Sequence, residues 1–185
     1  MKLKPVHPFP NDQNLHGIPN GVLNNHLDLY RGYVRRFNEA QEDLFGASGV
    51  ARSALLKQRN VDFDGAALHE IYFSQLIPGG SPPQSTAFLD LAAESYGSHE
   101  AWQRDFVQVC HVPGPGWAAT YLCPQMGLVN GHIEGHSKGI MAGCRIVMIV
   151  DLWEHAYECY TQKMDYVHDV FANMNWNVIE SRLSQ

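Results

Sequence analysis

A chain of 185 residues with 45% apolar and only 17% charged residues is long enough to bury most of its apolar surface in one or two layers, and its composition excludes intrinsic disorder. Thirteen Lys and Arg against nineteen Asp and Glu give a net charge of −6. The basic residues are scattered, Arg35-Arg36 being the one adjacent pair, so nucleic acid is not an expected partner. The longest apolar run, Ile146 to Val150, is far short of the roughly 18 residues of a membrane span, and the start MKLKPVHPFPNDQ has no apolar stretch of a signal peptide. A soluble cytoplasmic protein is expected. Cys110, Cys123, Cys144 and Cys159 show no C-x-x-C spacing and are expected to be reduced and mostly buried.

Val22, Leu23, Leu27, Tyr30, Tyr33, Val34 and Phe37 recur at helical spacing, which predicts a long helix over roughly 20–43 with Asn20 as its N-cap. After Gly46 and Gly49 comes a short amphipathic stretch from Val50 to Gln58, then a second long helix over 66–76. The Pro- and Gly-rich stretch Ile77 to Pro83 marks the best internal boundary, giving an N-terminal helical-hairpin domain, 1–80, and a C-terminal domain, 81–185. In the second, 86–94 and 99–110 read as helices, the latter capped by Ser98. Trp117 to Leu122 and Arg145 to Val150 read as strands, with Leu128-Val129 in a third between them. The tail from Leu152 to Leu183 returns to helix. The expected class is α+β: a helical hairpin followed by helices packed on a small antiparallel three-stranded sheet.

Ten histidines need explaining. His7, His16, His99, His111 and His168 lie near termini, caps or polar helix faces, where exposure is the natural reading. Four ionisable residues stand apart: His26 and His69 lie inside long helices among apolar neighbours, and Asp151 and His155 follow the most buried-looking strand. Burying such groups costs several kcal/mol unless they are paired or bind a metal. A carboxylate at a strand end and an imidazole one helical turn later can converge on one point, and a mixed His/carboxylate set suits Fe, Mn or Zn rather than Cu(I). By itself D-x-x-x-H is equally compatible with an Asp capping a helix that happens to carry His.

Longer context resolves the tie. Asp151-Leu152-Trp153-Glu154-His155-Ala156-Tyr157 resembles the D-x-W-E-H-A-Y signature of the iron/manganese superoxide dismutase family. Gly114-Pro115-Gly116-Trp117 is similar to that family's G-S-G-W, Tyr96-Gly97-Ser98 to its F-G-S, and Asn175-Trp176 to its late N-W. His69 followed by Leu76-Ile77-Pro78 is similar to its ligand His with L-x-P. The resemblance runs from Phe9-Pro10 to Trp176. It implies superoxide as a small anionic substrate and one Fe or Mn ion per subunit on His26, His69, Asp151 and His155. It also implies a homodimer in which Glu154 reaches His155 of the partner subunit, and Trp117 and Trp153 as walls of the site.

Two positions require choices. Counting back from Tyr33 by the family's spacing places the first ligand at Asn25, whereas counting forward from Ile18 places it at His26. On a regular helix a spacing of seven leaves two side chains about 20° apart, while eight leaves them about 80° apart and needs a π-bulge. The shorter spacing is thus compatible with the same site on a regular helix, and His26 is the expected ligand because Asn is a poor donor for this site type, with Tyr30 on the same face. The Gln that the family sets beside the metal-bound solvent, from one of two places, corresponds here to Gly65 or to His136. His136 is expected to take that role with Tyr33, with His132 as competitor, tuning a bound water and relaying protons.

Departures from the family pattern are Leu68 in place of Asn, Phe73 in place of Trp, and Ala119 in place of an aromatic residue. The late Arg-containing segment is shortened to Glu158–Met164, leaving Lys163 as its one cation. They keep two rivals in view: a catalytically weak or silent scaffold of the same fold, and an iron site of the 2-His-1-carboxylate type with His26 as bystander.

Overall fold

The computed structural model describes residues 2–4, 14–82 and 87–184; His7, Phe9-Pro10 and Thr86 lie outside them. Helix α1, Asn20–Asp43, follows the expected stripe, burying Val22, Leu23, His26, Leu27, Tyr30 and Val34. Its first bond runs from the Leu23 amide to the Pro19 carbonyl at 3.1 Å. Pro19, not Asn20, thus holds the cap position, with no side-chain cap bond; the Asn20 amide donates to Asn14 instead.

Helix α2, Gly49–Ser74, is one continuous rod where the sequence suggested a short stretch and a separate later helix. No proline interrupts 50–74, and the glycine inside it, Gly65, costs only about 1 kcal/mol in a helix. At Gly65 α2 also packs tightly on α1, because a Cβ there would lie 2.7 Å from Cδ1 of Tyr33. The α1–α2 pair forms the expected hairpin.

Helices α3, Ala87–Tyr96, and α4, His99–Cys110, follow, and the Ser98 hydroxyl caps α4 by accepting from the Ala101 amide at 3.1 Å. His99 is a correction: it is half-buried, with ring centroids 5.1 Å from Trp102 and 5.8 Å from Trp176.

Strands β1, Gly116–Cys123, β2, Gly127–Glu134, and β3, Arg145–Asp151, form an antiparallel sheet in the order β2-β1-β3. Central β1 is buried along nearly its whole length. β2 runs well past Leu128-Val129 to Glu134, so His132 lies within the strand and His136 in the turn that follows it. Trp117 pairs with Asp151 and with Ile133, which sets one end of the sheet as the place where β1, β2 and β3 present side chains together. At the other end Cys123 and Cys144 form a disulfide, correcting the reduced reading of both. They are the next cross-strand pair after Leu122 and Arg145, a proximity that spacing along the chain does not reveal. Cys110 is buried and Cys159 exposed.

The tail is three short helices, α5, Glu154–Tyr157, α6, Lys163–Ala172, and α7, Trp176–Ser181, where one helical stretch was expected. The break at 173–175 has a cause in the backbone pairing. The Asn173 side chain joins the backbone N–H and C=O of His16 at 2.8 Å each, and the Asn175 amide donates to the Gln75 carbonyl at 2.7 Å. No helix among the described residues is long and apolar enough to cross a membrane.

Candidate metal centre

Four elements deliver the four residues. α1 supplies His26, α2 supplies His69, the end of β3 supplies Asp151 and α5 supplies His155. Asp151 is fully buried, and its Oδ1 accepts from the Trp153 amide at 2.8 Å, fixing the start of α5. Its Oδ2 faces Nε2 of His26 at 3.0 Å, of His155 at 3.3 Å and of His69 at 3.9 Å. One ligand atom from each residue lies within 4.8 Å of the others.

Those four atoms, Oδ2 and the three Nε2, are buried and make no hydrogen bond of acceptable geometry among the described residues. Native cores satisfy nearly all buried polar atoms, so four orphans aimed at one point mark a place built for a ligand. The donor chemistry agrees. His69 Nδ1 lies 2.6 Å from the Gly65 carbonyl, which only accepts, so Nδ1 carries the proton and Nε2 offers its lone pair. Burial pushes the His69 imidazole down to about 3 and also lowers His26, Asp151 opposing the fall. For Asp151 burial alone would raise the carboxyl, but the proximity of the His155 and His26 imidazoles outweighs it and holds the group below its ordinary value. Neutral imidazoles and an ionised carboxylate are the forms a metal binds, and three N with one O suit a borderline ion such as Fe or Mn.

Around this cluster lies an aromatic wall. Trp117 stands edge-on to His69 at 4.9 Å, Phe73 to His26 at 4.9 Å, and Tyr72 packs on His26 at 5.2 Å. Trp153 stacks on His136 at 5.0 Å. Leu68, Phe73 and Ala119, where the family pattern has other residues, are all buried; the structure uses them as core.

Tyr33 and His136 meet beside the cluster. His136 Nε2 lies 2.6 Å from the Tyr33 hydroxyl, and the Trp117 indole N–H donates to His136 Nδ1 at 3.1 Å. An indole only donates, so Nδ1 of a neutral His136 is the acceptor and Nε2 carries the proton. His136 Nε2–H therefore donates to Tyr33 Oη, and the phenolic proton is left free to donate elsewhere. Burial lowers His136 and raises Tyr33, so both are neutral near pH 7. His132 packs against Gly116 instead. α1 is regular helix throughout, with no π-turn, and places His26 and Tyr33 on one face at the seven-residue spacing. Tyr30, fully buried, donates to Glu70 at 2.7 Å. Arg36 and the buried Asp62, bonded at 2.9 Å beside Tyr33, had no signal in the sequence, where Arg35-Arg36 is noted only as the one adjacent basic pair.

A helical hairpin and a small sheet that converge three imidazoles and one carboxylate form a site of the kind that could hold a single metal ion. Comparison with known proteins supplies the family. The model for the C-terminal domain of iron/manganese superoxide dismutases matches residues 84–182, just over half of the chain. The iron superoxide dismutase of Aquifex aeolicus is 30% identical over 94% of this chain and 87% of its own length. The manganese superoxide dismutase 2 of Haloferax volcanii is 30% identical over 91% and 88%, and the iron superoxide dismutase of Pyrobaculum aerophilum 30% over 86% and 81%. This chain belongs to the iron/manganese superoxide dismutase family.

Proposed function

We propose that this protein is a superoxide dismutase, holding one Fe or Mn ion on His26, His69, Asp151 and His155. The observation that carries the reading is the convergence of four buried, otherwise unpartnered ligand atoms. A bound Fe or Mn would supply one-electron exchange, accepting an electron from one superoxide and returning it to a second. The chain supplies the rest. Trp117, Tyr72 and Phe73 keep water off the imidazoles, and Trp117 fixes the tautomer of His136. His136 holds its Nε2 proton on Tyr33 Oη, which turns the phenolic proton toward the reacting anion. Two protons are consumed per peroxide formed; the Tyr33 hydroxyl would deliver one and take its replacement from solvent, while His136 Nε2–H holds the hydroxyl in orientation.

Metal content by elemental mass spectrometry beside a dismutation assay on the same sample tests this. Near-stoichiometric Fe or Mn with activity is expected; full metal without activity would refute the dismutase reading, and no metal after reconstitution would leave the scaffold reading in its place. Glu154 is exposed beside His155, and we place it at a homodimer interface, against His155 of the partner subunit. A monomer in sedimentation at micromolar concentration would contradict that. The cytoplasmic residence expected from the sequence stands against the Cys123–Cys144 disulfide, since such bonds persist mainly in oxidising compartments. Thiol trapping in the native cell decides, a reduced pair supporting the cytoplasm.

A further inference from the structure

The hydroxyl of Tyr33 reaches His136 from a half-buried ring on α1, and something must keep that ring in place. Two features do. The ring lies against the α2 backbone at Gly65, so closely that a Cβ there would fall 2.7 Å from Cδ1. Over the ring stands the guanidinium of Arg36, its carbon 4.5 Å from the centroid, within cation–π range.

Arg36 is itself tethered. Its Nε donates to Asp62 Oδ1 at 2.9 Å, and Gln58 Nε2 donates to Asp62 Oδ2 at 3.1 Å. The carboxylate is therefore fixed through both oxygens while fully buried. Only the carboxylate is buried, the Arg36 side chain being 41% exposed, and so solvated a pair contributes little to stability. What the pair does provide is orientation. A planar guanidinium can stack on a ring and bond sideways through Nε at once, which a lysine ammonium cannot do. From Asp62 the chain of contacts runs through Arg36 and the Tyr33 ring to the Tyr33 hydroxyl, and ends on His136.

We propose that Arg36, anchored by Asp62, is a positioning residue that holds Tyr33 in its hydrogen bond to His136. Its catalytic consequence rests on the dismutase reading; its geometric content does not. The variants are Arg36→Gln, Arg36→Lys, and Arg36→Gln/Asp62→Asn, the last removing both charges so that no carboxylate is left buried alone. The two Gln variants are also made in a Tyr33→Phe background. Full-length protein is purified with the metal it carries, assayed for dismutation and metal content, and crystallised to read the Tyr33–His136 separation.

The Gln/Asn pair is expected to lose about tenfold in rate through lost alignment, with metal content unchanged and the Tyr33–His136 bond broken in the crystal. In the Tyr33→Phe background the same change is expected to cost less than twofold, since residues acting through one another are non-additive. Arg36→Lys is expected to recover less than half of the loss. The same tenfold loss in the Tyr33→Phe background, fuller recovery by Lys, or an intact Tyr33–His136 bond in the Gln/Asn variant would each overturn the proposal. A wild-type protein without dismutase activity would sink the functional reading alone, and the crystal structures would still decide the positioning.

Discussion

Two clusters of buried polar groups lie along the same strand and are built in opposite ways. Near Val147 and Ile149 of β3, the guanidinium of Arg182 donates to the carbonyls of Val147 and Ile71 at 2.8 Å each and to Ser74 Oγ at 2.8 Å. It also reaches Gln75 Oε1 at 3.2 Å, and the Gln75 amide bonds both backbone groups of Ile149. That network closes on itself and ties α2, β3 and α7 together. Two residues further on, at Asp151, the imidazoles and carboxylate come just as close, yet their inward atoms have no partner. A core that satisfies Arg182 so fully can satisfy polar atoms. What sets the atoms at Asp151 apart is that four of them converge on one point, the arrangement that supports the proposed metal site. The closed network also fixes α2 against β3, which is how His69 comes to face Asp151.

Substitutions on the two sides should separate function from stability. Asp151→Ala removes the atom on which the three imidazoles converge and is expected to abolish metal retention and reduce dismutation by more than about 100-fold, while the circular dichroism spectrum stays native. Retained metal with native activity would break the contrast. Arg182→Met leaves buried carbonyls unpaired and is expected to cost about 3 kcal/mol of unfolding free energy, with a metal-to-protein ratio unchanged in the protein that folds. Urea denaturation beside elemental analysis reads both, and a variant as stable as wild type but stripped of metal would reverse the assignment.

Acid should sharpen the difference further. In the metal-free protein His69 stays neutral down to about 3, whereas unfolded it binds its proton near 6.5. Between those values the unfolded chain holds more protons, so stability is present above about pH 6.5 and is lost as pH falls toward 3. Asp151, also lowered, adds its loss in the acid range below its ordinary value. Each proton taken up contributes a slope of about 1.4 kcal/mol per pH unit. Denaturant titrations of the apoprotein from pH 7 to 4 should show that decline, and a replacement of His69 by Phe should flatten part of it. An unchanged slope would mean that His69 is not held neutral by the fold.

Much of this was legible in the sequence because it rests on local pattern. The apolar stripe of α1, the Ser98 cap of α4 and the β-branched runs of β1 and β3 are written within single elements, and the structure places them within a residue or two. The D-x-W-E-H-A-Y run draws attention to Asp151 and His155, and the poor donor chemistry of Asn favours His26 over Asn25, a choice with which regular helix geometry is compatible. What was not legible depends on distant segments meeting. α2 reads as a short stretch and a separate helix over 66–76 because nothing local shows that Tyr33 packs over Gly65 and that the helix runs through it. The tail was read as one helical stretch because nothing local reveals that Asn173 will bind His16 and that Asn175 will bind Gln75. Cys123 and Cys144 look unrelated until the β1–β3 register makes them neighbours. Arg36 and Asp62 are of the same kind, a pair across two helices with no trace in either one.

The central claim is that the four orphan atoms share one ion. Anomalous diffraction at the iron and manganese edges from crystals of the full chain tests it most directly. The account predicts a single strong peak at bonding distance from His26 Nε2, His69 Nε2, Asp151 Oδ2 and His155 Nε2. A peak that leaves His26 out, or metal bound elsewhere with none between these four atoms, would contradict it.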